Sequence, residues 1–272
     1  MNANIILGTD RPRIMGIVNV TPDSFSDGGK FLSHDDAIKH AVKLIDEGAD
    51  ILDIGGESTR PGAAPADLNE ELDRVIPVIV ALAKLHPTVP LSIDTQKPQV
   101  MQAAIRAGAV MVNDVNALQA PGAVEACAAA GVYVCLMHKR GLPSTMQVAP
   151  HYDDVVSEVR AFLLDRAAVC EAASIARAKI VIDPGIGFGK TLEHNLALLR
   201  ATSEFVATGY PILIGVSRKS MFQTMLARAV NDRLVPSVLA ALYVAQQGAA
   251  ILRVHDVRET RDALRLSAAL DC

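Results

Sequence analysis

Eight times along this chain a short apolar run gives way to a polar or glycine-rich turn and then to a longer amphipathic stretch. The runs are Ile14–Val20, Ile51–Ile54, Leu91–Ile93, Ala109–Val112, Val132–Met137, Ile180–Ile182, Ile212–Val216 and Ile251–Val254. They are rich in β-branched residues and too short for helices, which predicts strands buried on both faces of a parallel sheet. Between them, Asp35–Glu47 carries Ala37, Ile38, Ala41, Leu44 and Ile45 at helical spacing, Asn69–Leu85 does the same with Leu72, Val75, Ile76 and Ile79, and Asp153–Ala173 reads as a further helix. Strand, turn and helix in this repeat predict an α/β fold, a single (β/α)8 TIM barrel. A doubly wound open sheet is the alternative, because alternation does not establish closure. No linker or low-complexity segment divides the chain, so residues 1–272 read as one domain.

The core has to be built from Ala, Val, Ile and Leu, since Trp is absent and aromatic residues make up only 4%. That suits parallel strands covered by helices. A net charge of −4 argues against nucleic acid or an anionic membrane surface as partner. Cys127, Cys135, Cys170 and Cys272 show neither CxxC spacing nor a histidine in metal-ligand register, and read as reduced, mostly buried thiols. Met1–Arg13 lacks the apolar centre of a signal peptide, and no run reaches the ~18 apolar residues of a membrane span. The expected location is the cytoplasm.

The first polar groups after each run are Asn19, Gly55-Gly56-Glu57, Asp94, Asn113-Asp114, His138, Asp183, Ser217-Arg218-Lys219, and Arg253 with His255. In a barrel these points share one rim, where barrel active sites are built. Polar residues are ordinary wherever strands meet solvent, but chance does not favour Asp, Asn, Arg and His beside Gly and Pro turns.

The first loop, Asn19 to Gly29, is either a surface turn or a mobile lid whose Asn19 and Asp27 oxygens help hold a hydrated Mg2+ on a phosphate. The second, Gly55-Gly56-Glu57-Ser58-Thr59-Arg60-Pro61-Gly62, combines close backbone approach with a cation suited to an anion. Asp94, Asn113 and Asp183 end three different runs; each either caps backbone amides or meets the NH and NH2 edge of a heterocycle. Arg253 and His255 stand two apart, so on a strand both can grip one anion. Ser217-Arg218-Lys219-Ser220 precedes a helical stretch near Met221, where free amides take a carboxylate or phosphate; Lys219 is a donor, an anion contact or a Schiff-base nucleophile. Gly189-Lys190-Thr191 is no nucleotide-binding loop, because Pro184 occupies the place of the required first glycine. His34, His40, His86, His151 and His194 read as solvated and unpartnered; His138 can face the rim without an evident role.

These motifs, with Ser92-Ile93-Asp94-Thr95, Met137-His138, Asp183-Pro184-Gly185-Ile186-Gly187-Phe188-Gly189-Lys190 and Arg253-Val254-His255-Asp256, resemble the dihydropteroate synthase family over nearly the whole chain and in order. The resemblance implies condensation of a dihydropterin-methyl diphosphate with 4-aminobenzoate and loss of pyrophosphate. It implies that Asp94, Asn113, Asp183 and Thr59 bind the pterin, with Lys219 donating to its carbonyl or ring nitrogen. Asn19, Arg60, Arg253 and His255 would hold the diphosphate, Asn19 and Asp27 its Mg2+. Phe25, Pro61, Phe188 and Lys219 would line the aminobenzoate pocket, Ser220 taking the carboxylate, with sulfonamides competing there. A homodimer is implied too, and Leu234–Ala245 is apolar enough for an interface or for a core helix. Pro236, where many members have Gly, and the variable Asn116 depart from the pattern and put local helix geometry in question.

The expected chemistry is a dissociative substitution. Mg2+, Arg253 and His255 neutralise the departing diphosphate, Asp94 stabilises the cation left on the pterin, and Lys219 completes the catalytic set. A pterin-binding methyltransferase domain would share the acidic edge but has no use for a diphosphate grip. A Schiff-base aldolase built on Lys219 and a pterin-binding module without catalysis are the other rivals.

Overall fold

In the computed structural model, which describes residues 6–7, 11–21, 33–57, 66–141, 146 and 149–270, all eight predicted strands form and all pair in parallel. They are β1 (Arg13–Asn19), β2 (Ile51–Gly55), β3 (Leu91–Asp94), β4 (Met111–Asp114), β5 (Tyr133–Met137), β6 (Ile180–Asp183), β7 (Leu213–Ile214) and β8 (Ile251–Val254). The helices are α1 (Ser33–Glu47), α2 (Leu68–Leu85), α3 (Pro98–Ala107), α4 (Ala123–Ala130), α5 (Val155–Ala172), α6 (Leu192–Arg200), α7 (Thr202–Val206), α8 (Met221–Leu226), α9 (Leu234–Gln246) and α10 (Val257–Leu270).

The strand order β6-β5-β4-β3-β2-β1-β8-β7 is closed by a parallel bridge between Ile182 and Ile212, where the Ile182 N–H donates to the Pro211 carbonyl at 3.0 Å. That seam decides for a barrel over an open sheet. β4 is shifted along its apolar run, and β7 is much shorter than its own. Ala109 is drawn into the end of α3, its N–H donating to the Ala104 carbonyl at 2.9 Å around a left-handed Gly108, so β4 starts at Met111. Pro211 has no N–H for the ladder, and β7 is reduced to two residues.

Alternation along each strand divides the core. Met15, Ile51, Met111, Tyr133, Val181, Leu213 and Ile251 fill the lower half of the barrel with Ile6, while Val18, Ile54, Ile93 and Val112 pack outward under the helices. Asp53 breaks this pattern: it lies within an apolar strand and is fully buried. Register places Gly55, Asp94 and Asn113 on one level of the barrel, with Asp53 and Ser92 one level deeper.

Pro236 is the third residue of α9 and disturbs nothing, since first-turn amides have no partner within the helix. Four of the five histidines expected to be unpartnered, His34, His40, His151 and His194, have partners in the structure. His34 Nε2 lies 2.9 Å from the Asp73 carbonyl. His40 Nε2 lies 3.3 Å from that of Ile17, and burial pushes its pKa down. His151 pairs with Asp153 at 3.3 Å, and His194 completes a capping box with Thr191 at the start of α6. Cys127, Cys135 and Cys170 are buried and free; Cys272 lies outside the described residues. Among the described residues no helix is long and apolar enough to cross a membrane.

Candidate active site

The polar interior begins with Asp53. Its Oδ2 accepts from Asn113 Nδ2 at 2.9 Å and from Arg253 Nε at 2.6 Å, and a terminal nitrogen of Arg253 continues to Asp94 Oδ2 at 2.7 Å. Side chains from β2, β3, β4 and β8 thus form one network above the apolar floor. Burial opposes the charge of Arg253, yet Asp53 and Asp94 together raise its pKa further. For Asp94, burial outweighs the pull of Arg253 and, with Asp53 beside it, pushes the carboxyl up to about 7.

A second group stands across the mouth. Asp183, at the end of β6, accepts the Gly185 N–H at 2.7 Å, and burial pushes its carboxyl up to about 6. Lys219, following β7, has its Nζ 4.2 Å from the centre of the Phe188 ring; burial pushes its pKa down to about 8, against the pull of Asp183. The loop bearing Phe188 needs its glycines. Gly185 has φ +69, and a Cβ there would lie 1.9 Å from the His138 carbonyl oxygen. That loop is braced by Lys190, buried and 3.0 Å from His138 Nδ1, which supplies the role His138 lacked in the sequence.

At the β8 end, His255 Nδ1 lies 3.1 Å from Ser217 Oγ, which also accepts the His255 N–H at 3.2 Å. Burial and the neighbouring Arg253 push the imidazole down to about 3, so it is neutral at physiological pH. Arg253 and His255, expected as two cation-capable side chains able to grip one anion, differ in charge in the structure. Arg253 is turned to two carboxylates, because Asp53 reaches it from β2, and His255 offers a neutral N–H.

The other sequence candidates separate. Asn19 ends β1 half-buried, opposite Gly55. Asn113 faces inward, whereas Asp114 holds a turn: it accepts from the Asn116 and Leu118 N–H groups at 2.7 and 2.8 Å, around left-handed Ala117 and Leu118. Ser220 is exposed at the start of α8, with its hydroxyl making no cap bond. Phe25, Asp27, Thr59, Arg60 and Pro61 lie outside the described residues.

Asp53 is the functional residue the sequence reading passed over. Its signal was a lone carboxylate two residues before Gly55, on the same strand face. Also unnoticed was the cluster beside Asp94, in which Lys97 bridges Glu57 and the fully buried Glu71, the latter at 2.5 Å. Taken together, inward acids, an amide and a lysine suit a flat heterocycle rich in N–H donors, with Arg253 and His255 at its edge.

The family described as pterin binding enzyme matches residues 15–255. A dihydropteroate synthase of Escherichia coli (strain K12) is 51% identical over 263 residues, covering 97% of this chain and 93% of that relative. The Yersinia pestis dihydropteroate synthase in its sulfonamide drug complex superposes with a TM-score of 0.91 at 48% identity, over 97% of this chain and 96% of that one. The Xanthomonas albilineans enzyme in complex with 7,8-dihydropteroate gives a TM-score of 0.89, also at 48% identity, over 97% and 95%. Matched along almost its whole length by sequence and by fold, the chain belongs to the pterin binding enzymes and, among them, to the dihydropteroate synthase family.

Proposed function

We propose how the residues at the mouth of the barrel divide the work of the reaction this chain catalyses: (7,8-dihydropterin-6-yl)methyl diphosphate and 4-aminobenzoate are joined to 7,8-dihydropteroate, with release of pyrophosphate, in folate biosynthesis. The reading rests on one observation, the hydrogen-bonded group Asp53, Arg253, Asp94 and Asn113 opening on the same end of the barrel as Asp183 and Lys219. Asp94, Asn113 and Asp183 take the donor edge of the pterin, with Thr59 beside them, and Lys219 donates to its carbonyl or ring nitrogen. Arg253 has one terminal nitrogen without a hydrogen bond among the described residues. That nitrogen, the neutral His255 and Arg60 receive the diphosphate.

Asn19 and Asp27 would be the protein's ligands to a Mg2+ carried by the diphosphate. Among the described residues no three His, Cys, Asp or Glu side chains converge on a metal position. A Mg2+ held by one or two protein oxygens, phosphate oxygens and water fits that donor set. When bound it neutralises charge on the leaving group.

As the diphosphate departs, the ionised form of Asp94 stabilises the positive charge left on the pterin methylene, in a site sheltered from water. The arylamine nitrogen attacks that carbon, between Phe25, Pro61, Phe188 and Lys219, with its carboxylate at Ser220 and the start of α8. Sulfonamides occupy the same place, as the sulfonamide bound to the Yersinia relative supports. We further propose a homodimer through the outer face of α9, where Val235 and Leu239 are 66% and 61% exposed and Tyr243 joins them. The buried free thiols Cys127, Cys135 and Cys170 support a cytoplasmic location.

The experiment follows pyrophosphate and dihydropteroate from purified protein, both substrates and Mg2+. One pyrophosphate per dihydropteroate when both substrates are present, with no dihydropteroate formed when 4-aminobenzoate is left out, is the expected result. A methyltransferase-like pterin binder would release no pyrophosphate.

A further inference from the structure

Between β7 and α8, Arg218 stands in the left-handed region at φ 57. A residue with a side chain holds that conformation only where its surroundings impose it. Here they do so on every side. The Arg218 N–H donates to Ser237 Oγ at 2.8 Å, and the Arg218 carbonyl accepts from an Arg233 terminal nitrogen at 2.9 Å. Its guanidinium donates twice to Asp256, at 3.1 and 2.5 Å. Ser237 and Arg233 are both buried, at 4% and 6% exposure. Arg233 has no carboxylate partner among the described residues; its remaining donors go to the Arg228 carbonyl at 3.0 Å and the Gln223 side chain at 2.8 Å. A buried cation satisfied only by neutral acceptors is a costly device for a turn that a glycine at 218 would make unaided.

The residues that follow explain the device. After the left-handed residue the chain folds back, the Lys219 N–H donating to the Val216 carbonyl at 3.3 Å, and the Lys219 side chain reaches Phe188. Ser220 then opens α8. We propose that Ser237, Arg233 and Asp256 are positioning residues for the aminobenzoate half of the reaction. They hold Arg218 left-handed, so that Lys219 turns into the barrel and Ser220 meets the substrate carboxylate. This rests on the reading that Lys219 and Ser220 touch substrate.

The test measures KM for 4-aminobenzoate and thermal midpoints on the full chain carrying Ser237→Ala, Arg218→Gly, both together, Ser220→Ala and Lys219→Met. A glycine adopts this φ without restraint, so Ser237→Ala should raise KM about fivefold in the natural background, the worth of one such hydrogen bond, and less than about twofold in the Arg218→Gly background. Equal effects in the two backgrounds would mean that Ser237 only supports the fold, and the proposal would fall. No effect of Ser237→Ala, while Ser220→Ala raises KM, overturns the clamp and leaves the reading of the site standing. No effect of Ser220→Ala or Lys219→Met on KM removes that reading, and the proposal with it. Should Ser237→Ala not fold, Arg233→Met makes the same comparison from the carbonyl side of Arg218.

Discussion

Replacing Asp53 with asparagine probes the polar network at its deepest point. Asp53 and Asp94 share one guanidinium, at 2.6 and 2.7 Å from Arg253, and Asp53 is fully buried. The carboxamide has the same shape, so no cavity opens. It carries no charge, however: with its oxygen at the Oδ2 position it still accepts from Asn113 and Arg253, while its NH2 takes the place of Oδ1, which has no hydrogen bond among the described residues. Stranding one partner of a buried ion pair costs about 3–5 kcal/mol. Arg253 keeps Asp94, so the expected loss is about 2–3 kcal/mol. For a chain of this size that lowers the melting temperature by about 5–10 °C. The second effect is on titration. Burial is the main reason Asp94 titrates at about 7, and the charge of Asp53 adds to it. At about pH 6 only about a tenth of Asp94 is then ionised, and kcat/KM for the dihydropterin diphosphate should lie about tenfold below its plateau. In Asp53→Asn the carboxyl of Asp94 titrates lower, so that deficit narrows by at least about twofold. Pyrophosphate release across the neutral range, with melting curves on the same samples, measures both. A folded variant whose relative activity at about pH 6 matches the parent's would refute the coupling.

Three further outcomes are expected. Lys219 loses its proton as pH rises through about 8, so kcat/KM should fall by about tenfold per pH unit above that point; Lys219→Arg, which stays charged, should remove this alkaline limb from the relative profile, and an unchanged limb would assign it elsewhere. Gly185→Ala would bring a Cβ to 1.9 Å from the His138 carbonyl at φ +69, and should cost more than about 3 kcal/mol in denaturant unfolding; a loss under about 1 kcal/mol would contradict the packing. Leu239→Glu, on the exposed face of α9, should convert a dimer to a monomer in sedimentation while changing monomer stability by no more than about 0.5 kcal/mol; an unaltered mass would exclude that face as the interface.

Much of the fold was legible because β-branched runs such as Ile51–Ile54 suit parallel strands and little else. Closure was not, since the bridge between Ile182 and Ile212 leaves no mark in an alternating pattern. The strand ends pointed to Asp94, Asn113, Asp183, Lys219 and Arg253, and all of these gather at one mouth. Counting outward from strand ends passed over Asp53, one inward position deeper on β2. The same omission left Arg253 without its carboxylate partners, which lie 200 and 159 residues away. Arg218 was opaque for a different reason. A left-handed residue that is not glycine carries no local signal, because Ser237, Arg233 and Asp256 impose its conformation from other elements.

The separation of roles between the two acids on the pterin side bears most of the chemistry, and one paired measurement reaches it: pterin affinity by calorimetry and turnover at saturating substrate, on Asp94→Ala and Asp183→Ala. Asp94→Ala should lose about 10²-fold in turnover even when saturated, as removal of a transition-state contact does. Asp183→Ala should weaken pterin binding and keep most of its saturated turnover. If both variants lose affinity and turnover in equal measure, the acids act as one binding surface and the assigned roles are wrong.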